Sequence, residues 1–148
     1  CIRDSFAPAL DRMFRGFKGG GSEEKSPGRE GPIQVRQLPE SGSRAVASRS
    51  HRNEETNRWL EAHQIRDTVS IGSSLKFCLV ACGEADVYPR FGPTMEWDTA
   101  AGDAILRAAG GLTTHPDGSV FRYGKAGYRN SSFIASGQPD RWEPKASV

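Results

Sequence analysis

The chain has 148 residues, a formal net charge of +2, and 36% hydrophobic against 26% charged residues, enough for one domain with a sizeable core. No apolar run reaches a membrane span, no charged-then-apolar leader precedes a cleavage site, and no cluster of Lys and Arg with interleaved aromatics points to a nucleic-acid polymer. A cytoplasmic setting is expected, and three cysteines, an odd count, argue against a disulfide framework.

Residues 1–6 do not read as an apolar strand and stand as an unmatched N-terminal segment. Met13 to Phe17 alternates as a short strand, ended by Lys18 and three glycines. No Gly-Lys-Ser/Thr follows, so the glycines form a flexible turn and not a phosphate loop. Residues 23–31, polar and holding Pro27, read as an exposed hairpin loop. Ile33 to Leu38 alternates as a strand with one buried face, and residues 39–44 turn the chain. Arg44 to Ser48 is a short apolar strand that delivers Arg49, Ser50 and His51 to its carboxyl end, where open α/β sheets place ligands. His51 reads equally well as a residue closing a strand-to-helix turn. Asn53 then caps a helix to about Gln64, with Trp59, Leu60 and His63 on one side. His63 and His115 are expected at the surface.

Asp67 to Ile71 is the next strand, and Gly72-Ser73-Ser74 opens a helix over Leu75–Cys82. Hydroxyls and free backbone N–H groups there suit an anion. Lys76 lies in that first turn, where the helix dipole disfavours a cation, which hints at a compensating anion, although surface lysines are common. Cys78 and Cys82 lie one turn apart with no His or third Cys at ligand spacing, so they read as two buried thiols. Ala85 to Arg90 forms a strand aiming Arg90 at the loop before Asp98. Arginine suits bidentate phosphate binding, but on its own such a residue is more often a structural partner for a carboxylate, here Asp86 or Glu96.

The stretch from Gly92 to Gly111 breaks at Gly92-Pro93, turns helical near Asp98, repeats Ala101, Ala104, Ile105 and Ala108 at helical spacing, and stops at Gly110-Gly111. Asp98 falls in the first turn, where an N-capping carboxylate is favoured. Leu112 to His115 and Val120 to Tyr123 flank a Pro116-Asp117-Gly118 turn, an ordinary hairpin signal. Asn130 to Ala135 resembles the closing strand of the family whose motifs are compared below, and residues 138–148 read as a loose tail.

Glu96-Trp97-Asp98-Thr99-Ala100-Ala101-Gly102 resembles the W-D-x-A-A-G signature of the inositol monophosphatase superfamily. With Ser48-Arg49-Ser50-His51, Gly72-Ser73-Ser74-Leu75-Lys76 and the Ala85–Arg90 block, the order resembles its 3'(2'),5'-bisphosphate nucleotidase branch, the CysQ type. The resemblance implies an α/β fold, the C-terminal half of a layered αβαβα architecture, with a mixed sheet of five strands and helices after residues 52, 73 and 97. It implies a domain over residues 7–137. It also implies Mg²⁺-dependent removal of the 3'(2')-phosphate from 3'-phosphoadenosine 5'-phosphate. Asp98 would be a metal ligand, Ser73, Ser74, Lys76 and Arg90 would hold the uncleaved phosphate, and Arg49, Ser50 and His51 would line the nucleoside pocket.

The family's other metal carboxylates, a glutamate on an early helix and both aspartates of D-x-x-D-G-[ST], have no counterpart here. Asp117-Gly118-Ser119 matches only the end of that motif, with Thr114 in place of the first carboxylate. The chain alone is therefore expected to be inactive, completed by an N-terminal half or associating through an uncovered apolar face. An inositol or sugar monophosphatase, or a truncated anion-binding module without catalysis, are the competing readings.

Overall fold

Residues 2–33 fold as an antiparallel meander of β1 (Ile2–Ala7), β2 (Arg12–Phe17), β3 (Gly21–Ser26) and β4 (Arg29–Ile33), paired in chain order. The computed structural model describes residues 2–48, 53–72 and 74–142. Two expectations fail here. Residues 2–7 do form a strand, and residues 23–31 are not a loop but most of the β3–β4 hairpin, turning at Pro27 and Gly28. The misreading has a physical cause: the inward residues of β3 are polar. Ser22 donates to the Ile105 carbonyl at 2.7 Å, and Glu24, 1% exposed, accepts from Arg12 at 2.8 Å. Hydropathy cannot tell such satisfied inward groups from solvated ones.

Ile33 to Leu38 is likewise not a full strand, since only Ile33 belongs to the ladder. Beyond it the chain crosses between sheets. Val35 N–H donates to the Ala109 carbonyl at 3.1 Å, and a Cβ at Gly137 would lie 2.8 Å from Val35 Cβ. Glycine is what lets those two segments touch.

The second sheet carries β5 (Arg44–Ala47), β6 (Asp67–Ser70), β7 (Val87–Arg90), β9 (Leu112–Thr114) and β11 (Phe133–Ser136), ordered β6-β5-β7-β11-β9. β5 runs parallel to β6 and β7, and β11 is antiparallel to β7 and β9. A short pair, β8 (Thr94–Met95) with β10 (Arg129–Asn130), stands apart. The five-stranded mixed sheet is as expected.

Helix α1 (Glu54–Ala62) starts at Asn53, whose Oδ1 accepts from Thr56 N–H at 2.9 Å and whose Nδ2 donates to the Phe91 carbonyl at 2.6 Å. It covers the outer sheet face, where Leu60 packs with Ala45, Val87, Ile134 and Trp142. Trp142 is buried and donates to Ser136 Oγ at 2.6 Å. The chain just after Gly137 is thus anchored and not loose, while residues 143–148 lie outside the described residues. His63 stacks on Trp59 with ring centroids 4.0 Å apart, so it is packed rather than simply superficial.

On the inner face lie α2 (Leu75–Ala81) and α3 (Glu96–Ala108), between the sheet and the meander. All seven α2 residues are buried, as an apolar helix with sheets on both sides must be. Phe77 stacks on Phe133 and meets Tyr88 edge-on. The two helices touch at Gly102, where a Cβ would lie 2.8 Å from Phe77 Cβ. The buried residues of α3 are Glu96, Thr99, Gly102, Asp103, Ile105 and Leu106, while Ala101, Ala104 and Ala108 are only half-buried. The alanine spacing misplaced the buried face, because the closest contact belongs to a glycine. Gly110, at φ 95°, and Gly111 close the helix by donating to Arg107 and Leu106 carbonyls.

Val120 makes one bridge to Thr114, and residues 121–123 do not continue as a strand. Gly118 N–H donates to the His115 carbonyl, and Ser119 N–H to Asp117 Oδ1, both at 2.9 Å. Asp117 thus serves the turn. His115, half-buried, has its Nδ1 3.0 Å from the Ser132 carbonyl. Among the described residues no helix is long and apolar enough to cross a membrane.

Candidate active site

A cleft of about 520 Å³ opens where the carboxyl ends of β5, β6 and β7 meet the first turns of α2 and α3. Parallel strands point their carbonyl ends, and the helices that follow them their N–H ends, at this one place. Of the residues singled out from sequence, Ser74, Lys76, Arg90 and Asp98 all line it. Arg49, Ser50, His51 and Ser73 lie outside the described residues. Their neighbours Ser48 and Gly72 line the cleft.

Lys76 is not a surface lysine. It is 5% exposed, and its Nζ stands 5.2 Å from the centroid of the Tyr88 ring. Burial, with the nearby Arg90 charge adding to it, lowers its pKa to about 8. Arg90 ends β7, and its Nε is buried without a hydrogen-bond partner. Neither carboxylate that could have claimed Arg90 is free to do so. Asp86 accepts two bonds from Arg36 at 2.8 Å and one from Arg44 N–H at 2.6 Å. Glu96 accepts from Gly124 and Lys125 N–H at 2.9 and 3.0 Å and pairs with Lys125 Nζ at 2.7 Å. Two cations thus share a half-enclosed cleft, an arrangement that favours an anion between them.

Asp98 occupies the third position of α3, not its cap, and is exposed. Its Oδ2 accepts from Met95 N–H at 3.0 Å, which fixes the carboxylate over the first turn. It is the one acidic residue lining the cleft among the described residues. Tyr88, Thr94 and Trp97 also line it and were not anticipated, although Tyr88 shares a strand face with Arg90 by the two-residue period. Beneath them, Asn130 donates to Thr94 Oγ1 and Thr99 Oγ1 at 3.2 and 3.0 Å, tying β8 to α3. No local pattern marks Asn130, because its partners lie more than thirty residues away.

The Glu96 contacts hold the loop after Arg122 and keep its carboxyl well below the usual range, at about 2, through the Lys125 and Gly124 bonds. A carboxyl depressed on folding contributes stability above its unfolded pKa of about 4.3 and loses it as pH falls toward the folded value. Between about pH 4 and pH 2 the 122–128 loop is therefore expected to loosen, and Glu96→Gln should remove that acid sensitivity. Amide exchange at Gly124 and Lys125, followed against pH in both proteins, checks it.

A second group of potential ligands, Glu24, Cys82 and Glu84, converges elsewhere. Arg12 fills its centre, 2.8 Å from Glu24, 2.5 Å from Glu84 and 3.7 Å from Cys82 Sγ. The guanidinium already supplies the cation. Burial raises the Cys78 thiol to about 12 and the Cys82 thiol to about 11, which leaves both protonated and unreactive.

The sequence profile of the inositol monophosphatase family matches residues 6–146. The chain belongs to the inositol monophosphatase family. Within it, the 3'(2'),5'-bisphosphate nucleotidase CysQ of Buchnera aphidicola is 40% identical over 134 residues, 88% of this chain and 50% of that protein. A Rhizobium leguminosarum protein, known as an uncharacterized protein in the pss 5' region, is 58% identical over 85 residues, covering 53% of this chain and 90% of its own length. The crystal structure of CysQ from Bacteroides thetaiotaomicron superimposes with a TM-score of 0.81 at 34% identity, over 93% of this chain and 58% of that one. This inositol monophosphatase-family chain spans about half the length of the CysQ proteins it matches.

Proposed function

We propose that this chain carries the anion-binding side of a phosphatase that removes the 3'(2')-phosphate from 3'-phosphoadenosine 5'-phosphate. The observation that supports it is the pairing of Lys76 and Arg90 in one cleft with Asp98 at its edge. Lys76, Arg90 and Ser74 would hold the phosphate that stays, and Ser73 would join them. Arg49, Ser50 and His51 would flank the nucleoside.

Mg²⁺ is the metal this reading requires. It takes near-octahedral oxygen sets built from carboxylates, waters and substrate phosphate. Asp98 fits as one ligand, with its orientation fixed by Met95 N–H. One carboxylate falls short of a two-metal centre, so the remaining ligands must come from outside the described cleft, from a second polypeptide or from chain of the kind that makes the relatives longer. When bound, the metal would activate the attacking water and stabilise the leaving oxygen. This chain's own part is to bind and orient the ester.

Calorimetric titration of adenosine 3',5'-bisphosphate into the purified chain, paired with a phosphatase assay in Mg²⁺, tests the reading. Saturable binding with no turnover above background is expected. Turnover at an ordinary enzyme rate would overturn the half-site reading, and preference for inositol 1-phosphate over the nucleotide would overturn the substrate.

A further inference from the structure

We propose that Thr94 donates a hydrogen bond to a phosphate oxygen of the bound nucleotide, with Asn130 as the residue that positions its hydroxyl, an assignment that rests on the nucleotide reading of the cleft. Thr94 lines that cleft together with Arg90 and Asp98. It stands on β8 directly opposite Asn130 of β10, so the two side chains share one face of the short pair. Thr94 is half-buried, whereas Asn130 is 1% exposed.

A hydroxyl carries one proton to give and two lone pairs with which to accept. Thr99 Oγ1 gives its proton to the Glu96 carbonyl at 3.2 Å, so toward Asn130 it can only accept. That sets the Asn130 amide with Nδ2 facing both threonines, 3.0 Å from Thr99 Oγ1 and 3.2 Å from Thr94 Oγ1. Thr94 is therefore an acceptor on this bond too, and its own proton is left over. Among the described residues no group takes that proton. The orientation also leaves Asn130 Oδ1 buried without a donor, a cost that falls on the fold. A second observation says what the spare proton can serve. Arg90, in the same cleft, holds a buried Nε with no partner, and Lys76 lies there with it. An anion drawn between those cations is an acceptor at every oxygen, and O–H···O⁻ bonds are short and strong. Because Asn130 already holds one lone pair, the hydroxyl gives up less freedom when the anion arrives.

The test is calorimetric titration of adenosine 3',5'-bisphosphate, and separately of inorganic phosphate, into the whole chain and its variants. Thr94→Val keeps the shape and removes the hydroxyl, and it should weaken both ligands roughly tenfold, the loss of one hydrogen bond to a charged group. Thr94→Ser, which keeps the hydroxyl, should stay within about twofold of the parent. Asn130→Ala should weaken binding in the parent and cost nothing further in the Thr94→Val background, since a positioning residue has no effect once its target is gone. Equal affinity of Thr94→Val and the parent would overturn the assignment while leaving the nucleotide reading intact. A loss confined to the nucleotide, with inorganic phosphate unchanged, would move the hydroxyl to the sugar or base and overturn the phosphate contact. Additive losses in the double variant would reduce Asn130 to a structural part. No binding of either ligand by the parent would overturn the nucleotide reading and this assignment with it.

Discussion

Replacing Lys76 with methionine is expected to weaken adenosine 3',5'-bisphosphate binding by roughly 10- to 100-fold, the loss of one charge-assisted contact. The same change should raise the stability of the ligand-free protein at pH 7, by on the order of 2 kcal/mol. Both effects come from one fact. The folded chain holds this ammonium in a buried place beside Arg90, with its pKa lowered to about 8. A lysine depressed on folding is penalised while charged. Between about pH 8 and its unfolded value near 10.4 the unfolded chain binds the extra proton, so stability rises with pH across that window. Ligand binding runs the other way. Only the ammonium attracts the phosphate, so the dissociation constant should climb about tenfold per pH unit above pH 8. Titrations at pH 7 and 9, with thermal unfolding of parent and variant, check both signs. Arg90→Ala should weaken binding comparably, since its buried Nε has no other bond to lose. Unchanged affinity in both variants would remove the cleft from consideration.

Gly102→Leu is expected to destabilise the domain by about 3 kcal/mol or more. The contact at this point is between helix and helix, with no slack. A Cβ on residue 102 would sit 2.7 Å from Phe77 Cδ2 and 2.8 Å from its Cβ. Phe77 cannot retreat, because it stacks on Phe133 and is met edge-on by Tyr88. Even Gly102→Ala should lose stability, although alanine favours a helix over glycine by about 1 kcal/mol. Urea unfolding of the two variants measures it, and an unchanged midpoint for Gly102→Leu would mean that α2 and α3 do not pack as described. Because Lys76 precedes Phe77 on α2, the leucine variant should also weaken nucleotide binding.

The fold was legible wherever local chemistry and tertiary role coincide. Asn53 caps α1, Gly110 and Gly111 close α3, β5 stands where a short apolar run places it, and β6 and β7 fall within the stretches read as strands. It was illegible where a polar residue turns inward to a distant partner. Ser22 and Glu24 look solvated until Ile105 and Arg12 are brought beside them, and so β3 and β4 read as a loop. The buried face of α3 was misplaced for a related reason: nothing in the sequence says that Phe77 will sit against Gly102. In the cleft, Lys76, Arg90 and Asp98 were marked by the motifs that resemble the family's, whereas residue type and position alone also allowed a surface lysine, a structural arginine and a capping carboxylate. Tyr88 and Asn130 were not legible, since their roles exist only once β7, β8 and α3 meet. The silence of Asp86 and Glu96 toward Arg90 was also invisible, because their actual partners, Arg36 and Lys125, are themselves set by the fold.

The burial of α2 between two sheets bears on what the cleft can become. A lysine on a surface helix could be repositioned by small backbone adjustments at little risk. Here the helix that carries Lys76 is also the keystone of the domain, with every residue from Leu75 to Ala81 enclosed. The ammonium gives up its rotational freedom when the chain folds rather than when the anion arrives, so recognition begins from an immobilised receptor. The same enclosure couples the two processes: an anion that binds Lys76 in the folded chain and not in the unfolded one stabilises the whole domain by mass action.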